Sequence, residues 1–190
     1  MGTTLSGRLN LKLDWVYQDI SDPIWPAKDN NYLKEVIAFA NGNSANQATG
    51  MYRDRRTLTA ATGTDQLDLA GGITDKFGNT LTFAQINVLI IRNLGLAASG
   101  NDGSSSDSWT EAAGQDLLVF GAGAGANGWE GPLNDQDATL RVRSGGILPL
   151  FAPVDGYRVI AGSRDTLQIL WAGSAASGGD IEYDIIVLGR

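Results

Sequence analysis

Apolar residues along this chain fall either at every second position or in short unbroken runs, the two signatures of β-strands. In residues 8–18, Leu9, Leu11, Leu13, Trp15 and Tyr17 face one way, and Asn10, Lys12, Asp14, Val16 and Gln18 face the other. That alternation predicts a half-buried strand. The chain is organised around residues 65–95. There Val88-Leu89-Ile90-Ile91 is continuous, mostly β-branched and bounded by polar residues, the pattern of a strand covered on both faces. Ahead of it, Phe77-Gly78-Asn79-Thr80 reads as a turn, because Gly and Asn accept positive φ cheaply. Thr82 is placed to cap one helical turn, Phe83-Ala84-Gln85-Ile86, before the strand begins.

The other segments extend the pattern. Residues 32–40 fit two periods: Leu33, Val36, Ile37 and Ala40 at helical spacing, or Leu33, Ile37 and Phe39 in a strand with Glu35 between. The β character elsewhere favours the strand. Residues 51–58, 117–120, 139–143, 157–160, 167–171 and 181–188 predict further strands. Residues 147–153 must lie at an edge or in a loop because of Pro149 and Pro153. Ser21-Asp22-Pro23-Ile24-Trp25-Pro26 is a loop set by its prolines. Trp25 either packs over a sheet edge or is displayed for contact, and the habit of large aromatics favours packing. Residues 1–7 are small and polar, and form either an arm onto a neighbour or a free end. The sum is one β-sandwich domain over residues 8–190 behind a short N-terminal arm.

A chain of 190 residues gives such a domain a substantial core, and 25 glycines between short apolar segments punctuate many strands. The net charge of −7 disfavours general nucleic-acid binding, which needs a basic footprint. Cysteine and histidine are both absent. Disulfides, thiolate chemistry, Ser-His-Asp catalysis and histidine zinc sites are therefore excluded, which leaves carboxylate chemistry as the route to an enzyme. No stretch approaches the roughly 20 apolar residues of a membrane span, and Met1-Gly2-Thr3-Thr4-Leu5-Ser6 lacks the regions of a signal peptide. Gly121-Ala122-Gly123-Ala124-Gly125 resembles a phosphate loop only in its glycines. No lysine follows and no helix pattern opens, so the run reads as a flexible or close-packed surface segment, and no cofactor is implied.

One constellation has the residue types for chemistry. Asp180, Glu182 and Asp184 share a face of the last strand, and some sandwich glycosidases carry paired acids in this way. Tryptophans 25, 109, 129 and 171 would serve as sugar platforms. Against this, the position where a second acidic partner usually stands is Ile186, and Arg141 and Arg143 share a face suited to pairing with the acids. The basic cluster Arg53, Arg55, Arg56 either grips an acidic partner or pairs with nearby aspartates, the reading favoured here. Asn101, Asp102 and Asp107 offer oxygens to calcium, but without EF-hand spacing the segment reads as a plain loop.

Several segments together resemble a group of tailed-bacteriophage structural proteins. They are Arg55-Arg56-Thr57-Leu58, Asp65-Gln66-Leu67-Asp68-Leu69-Ala70-Gly71-Gly72, Thr74-Asp75-Lys76-Phe77-Gly78-Asn79-Thr80-Leu81-Thr82-Phe83 and the closing Ile181-Glu182-Tyr183-Asp184-Ile185-Ile186-Val187-Leu188-Gly189. The likeness covers residues 32–95 well and the C-terminal third loosely. It implies a head decoration (cement) protein with a jelly-roll-like antiparallel β-sandwich and at most one or two short helical turns. Such a protein is made in the host cytoplasm and sits on the capsid exterior, bound to the major capsid protein and to itself as a trimer or dimer. The role implies no catalytic residue, cofactor, metal, nucleic acid or membrane. On this reading Thr3, Thr4 and Leu5 of the arm, Trp25 of the proline loop, Arg53, Arg55 and Trp129 are the contact residues. The alternatives are a tail or spike module, a carbohydrate-binding domain on the particle, and a carboxylate-dependent enzyme.

Overall fold

The computed structural model describes residues 4–19, 27–59, 63–96, 116–121, 127–135, 137–172 and 180–190. Among them the strands are β1 (Gly7–Asp19), β2 (Ala27–Asn41), β3 (Gln47–Ala48), β4 (Gly50–Leu58), β5 (Thr64–Asp68), β6 (Ile73–Thr74) and β7 (Thr80–Leu81). They continue with β8 (Gln85–Leu96), β9 (Leu117–Gly121), β10 (Leu140–Val142), β11 (Ile147–Phe151), β12 (Tyr157–Arg158), β13 (Thr166–Trp171) and β14 (Ile181–Gly189). Helical geometry among these residues is confined to one 3-10 turn, Gly131–Leu133.

Two antiparallel sheets carry the core, one ordered β11-β8-β14-β4 and the other β10-β9-β13-β5. Counted from one to eight along the chain, these eight strands give the orders 6-3-8-1 and 5-4-7-2, the interlocked Greek keys of a jelly roll. Alternation explains the packing. On β14, Ile181, Tyr183, Ile185 and Val187 point inward and are fully buried, and they meet Leu117, Val119, Leu167 and Ile169 of the facing sheet. The run Val88-Leu89-Ile90-Ile91 is covered on both sides as expected. Leu89 and Ile91 enter this core, whereas Val88 and Ile90 meet a second apolar cluster on the outer face. Pro149 lies in β11, an edge strand, where its missing N–H costs no ladder bond.

The open side of the sandwich, between edge strands β4 and β5, is closed by a polar clamp. Asp65 shares the inward side of β5 with Leu67 and accepts hydrogen bonds from both Arg56 and the Tyr183 hydroxyl on the other sheet. Arg56 also donates to Tyr52 Oη at 3.0 Å. Burial, then the Asp65 hydrogen bond, pushes the Tyr183 hydroxyl far above the ordinary tyrosine range, so it is a permanent donor. Burial works against the charge of Arg56, and its hydrogen bonds to Asp65 and Tyr52 more than offset this.

The hairpin of β1 and β2 is paired from Gly7↔Phe39 to Asp19↔Ala27. Segment 32–40 is thus strand. Among the hairpin's described side chains burial is confined to the base, where Leu9, Ile37 and Phe39, with Leu5 just ahead of β1, sit on Val88, Ile90, Leu188 and Phe151. Farther out Leu11, Leu13 and Leu33 are exposed, so among the described side chains of the half-buried strand expected at residues 8–18 only Leu9 is half-buried.

The helical turn expected at Phe83-Ala84-Gln85-Ile86 does not form. Ala84 N and Gln85 N, the groups a Thr82 cap would accept from, both donate to Arg190 O at 2.8 Å, and Phe83 N donates to Leu69 O, so distant segments hold this backbone. Gly121 is close-packed rather than flexible. A Cβ built there would stand 2.5 Å from Trp129 O and 2.8 Å from Trp129 N. Gly121→Ala is therefore expected to cost about 1–3 kcal/mol by forcing β9 from the 127–129 segment. Urea denaturation checks it: the midpoint falls with the slope unchanged.

Candidate functional site

The acidic row of β14 lies on the outer face of its sheet, where β4 and β8 supply cations on both sides. Asp184 stands opposite Arg55 of β4 and Arg92 of β8. Arg55 grips it with two bonds, Nε–Oδ1 at 2.8 Å and Nη2–Oδ2 at 3.2 Å. That hydrogen bonding, with the charges of Arg55, Arg92 and Arg53, holds the Asp184 carboxyl below the usual carboxylate range. A glycosidase acid needs the opposite shift, because it must keep its proton near neutral pH. Asp184 is therefore charge-paired across the sheet face, the alternative weighed from sequence, with one correction of partners. Arg141 is bound to Asp116 at 3.0 Å on the facing sheet, and the guanidiniums that meet Asp184 come from the 53–55 cluster and Arg92.

The residues expected to make contacts are scattered. Thr4 is exposed. Leu5 is folded back on its own domain, its N–H donating to Asn41 Oδ1 at 3.1 Å and its side chain in the outer cluster. Arg53 and Arg55 are exposed on the outer sheet face, Arg55 committed to Asp184. Trp129 corrects the expectation most. It is 3% exposed, its indole N–H donates to Arg158 O at 2.9 Å, and its ring meets Tyr157 edge-on at 6.3 Å. A residue so enclosed touches no partner and stacks on no sugar. Thr3, Trp25, Asn101, Asp102, Asp107 and Trp109 lie outside the described residues.

Phe77, read from sequence only as part of a turn, is the most exposed large apolar side chain among the described residues, at 77%. The turn beneath it is built by Asp75. Its Oδ1 accepts from the N–H groups of Phe77 and Asn79, both at 2.8 Å, and its Oδ2 from the Asn79 side chain at 2.9 Å. Gly78 supplies the φ of +84° that the turn requires. Asn79's side-chain hydrogen bond, then the backbone donors, lower the Asp75 pKa. The available signal was an aromatic amid turn-forming residues, where nothing local can bury it.

Among the described residues no three Asp or Glu side chains converge as metal ligands. A cavity of about 20 Å³ beside Trp129, lined by Leu89, Val119, Leu150 and Leu167, has room for roughly one water. Polar depressions also lie among the described residues. One lies around the Glu130–Arg164 ion pair and another around Thr80, Thr82 and Asp75.

No family model and no curated protein matches the chain. Among solved structures, the Drosophila NLP-core, described in connection with pentamer formation and histone binding, is similar over 74% of this chain and 99% of its own. The sequence identity is 12% and the TM-score 0.34, a likeness too slight to carry an argument about either fold or role.

Because Asp184 has a lowered pKa in the folded state, its contribution to stability is complete above the ordinary value of 3.8 and is lost as pH falls through the lower folded value. Asp184→Asn removes that contribution. The stability gap between wild type and variant should be constant above about pH 5 and close below pH 3.8, as read by urea denaturation across pH. A gap unchanged through that window refutes the pairing.

Proposed function

We propose that the protein is a structural component of a tailed-phage virion that binds the capsid exterior and stabilises it by bridging major capsid protein subunits. The observation that carries this reading is the Phe77 turn. It presents an aromatic side chain to solvent on a backbone already fixed by the Asp75 bonds and φ of Gly78. Aromatic anchors held in their bound geometry lose little entropy on docking, and they dominate protein interfaces.

A second support is where the segments of phage-protein likeness lie. Residues 55–58 are in β4, 65–72 run from β5, and 181–189 form β14. The clamp of Arg56, Asp65 and Tyr183 ties the three together. Residues 74–83 follow and carry Phe77. The resembling residues thus make up the facing edge strands β4 and β5, the interior strand β14 beside β4, and the turn that carries Phe77.

Adhesion is the physical basis of such a role. Roughly 1,000 Å² of apolar contact gives a gross term on the order of 25 kcal/mol before association costs. Repetition over a closed shell multiplies modest contacts against the outward force of packed DNA.

Capsids stripped of the protein and re-incubated with it test the reading. Wild-type protein should reoccupy them in a fixed ratio to the major capsid protein. Phe77→Ala should bind about tenfold or more weakly with an unchanged denaturation midpoint. Full occupancy by Phe77→Ala removes the turn from the interface. Failure of wild type to bind heads, with retention on a glycan array, overturns the capsid role in favour of a carbohydrate-binding module.

A further inference from the structure

The β1–β2 hairpin carries an apolar stripe longer than the body beneath it. Residues directly opposite in an antiparallel pair share a face, and the register Leu9↔Ile37, Leu11↔Glu35, Leu13↔Leu33 places five apolar side chains and one carboxylate on one side. The inner end, Leu9 and Ile37, is seated on the outer face of the β11-β8-β14-β4 sheet. The outer end overhangs, with Leu11 44%, Leu13 58% and Leu33 53% exposed. Seven of the twelve exposed large hydrophobics among the described residues belong to this hairpin. Two strands alone are marginal in water, so an overhang of this length needs a surface to lie on.

The chain itself offers a matching surface. The outer sheet face already accepts the base of the same stripe, and beside that seat Met51 of β4, opposite Leu188, is left 43% exposed. The charges also agree. The outer face gathers Arg53, Arg55 and Arg92 around Asp184 and Glu182, a local positive excess in a chain of net charge −7. The apolar side of the overhang holds a carboxylate, Glu35, level with Leu11. We propose that the overhang of one copy lies on the outer sheet face of a second copy, with Leu11, Leu13 and Leu33 against Met51 and with Glu35 facing Arg53 of that copy. Each copy gives one ribbon and receives one, so the contact closes into a dimer or a small ring. It belongs to the free protein and holds whatever the assembly binds.

Sedimentation velocity of the full chain tests this. Wild type should sediment as a discrete oligomer at micromolar concentration. A ribbon variant, Leu13→Asp with Leu33→Asp, and a face variant, Met51→Asp, should each be monomeric with native circular dichroism. Mixed, they should form a heterodimer, since one intact ribbon meets one intact face. Glu35→Arg and Arg53→Glu, both at exposed positions, should each weaken association about tenfold or more, and the double exchange should recover it. A monomeric wild type overturns the proposal. So does a face variant that stays oligomeric, the result expected if ribbons pair with ribbons, and so does a charge exchange that recovers nothing.

Discussion

The structure depends on the burial of strand β14, the last in the chain, between β4 and β8. Its inward side chains, Ile181, Tyr183, Ile185 and Val187, are wholly buried, and its two ladders join residues as far apart as Gly50 and Gly189. Neither sheet-face cluster is complete before this strand is in place: its inward positions complete the core, while Leu188 on the other side completes the seat of the hairpin. Such non-local pairing makes loop closure the dominant entropic cost of folding, so this topology belongs with the slower folders.

The same strand settles the electrostatics. Its outward Asp184 falls between Arg55 of β4 and Arg92 of β8, and a carboxylate gripped by two guanidinium bonds is held anionic rather than poised to exchange a proton. On the other side of the sheet, Tyr183 reaches across the core to Asp65 and so ties the edge strands together. Charge serves cohesion in both places. Two apolar features stand exposed among the described residues, an aromatic on a fixed turn and a ribbon reaching beyond its own body.

Much of the fold was legible in the residues, because strand periodicity is local. The alternation in residues 8–18, the doubly covered run at 88–91, the prolines confining 147–151 to an edge and the turn at 77–80 all stand in the structure. Errors arose where a distant partner outbid local preference. Thr82 offers a helix cap, but Arg190 takes the N–H groups of Ala84 and Gln85. Trp129 stands among the contact residues that the resemblance implied, but Gly121 lets the 127–129 backbone come close and the indole is drawn into the core.

The sequence by itself determined that the chain is all-β, which side chains alternate on each strand, and that histidine and thiol chemistry are excluded, since composition and period are properties of neighbours along the chain. Tertiary structure alone decided which arginines meet Asp184, that Trp129 is enclosed while Phe77 is displayed, and where along the hairpin burial stops. An alternating pattern shows that a strand has an apolar side. Only the extent of the body packed beneath it fixes how much of that side is covered.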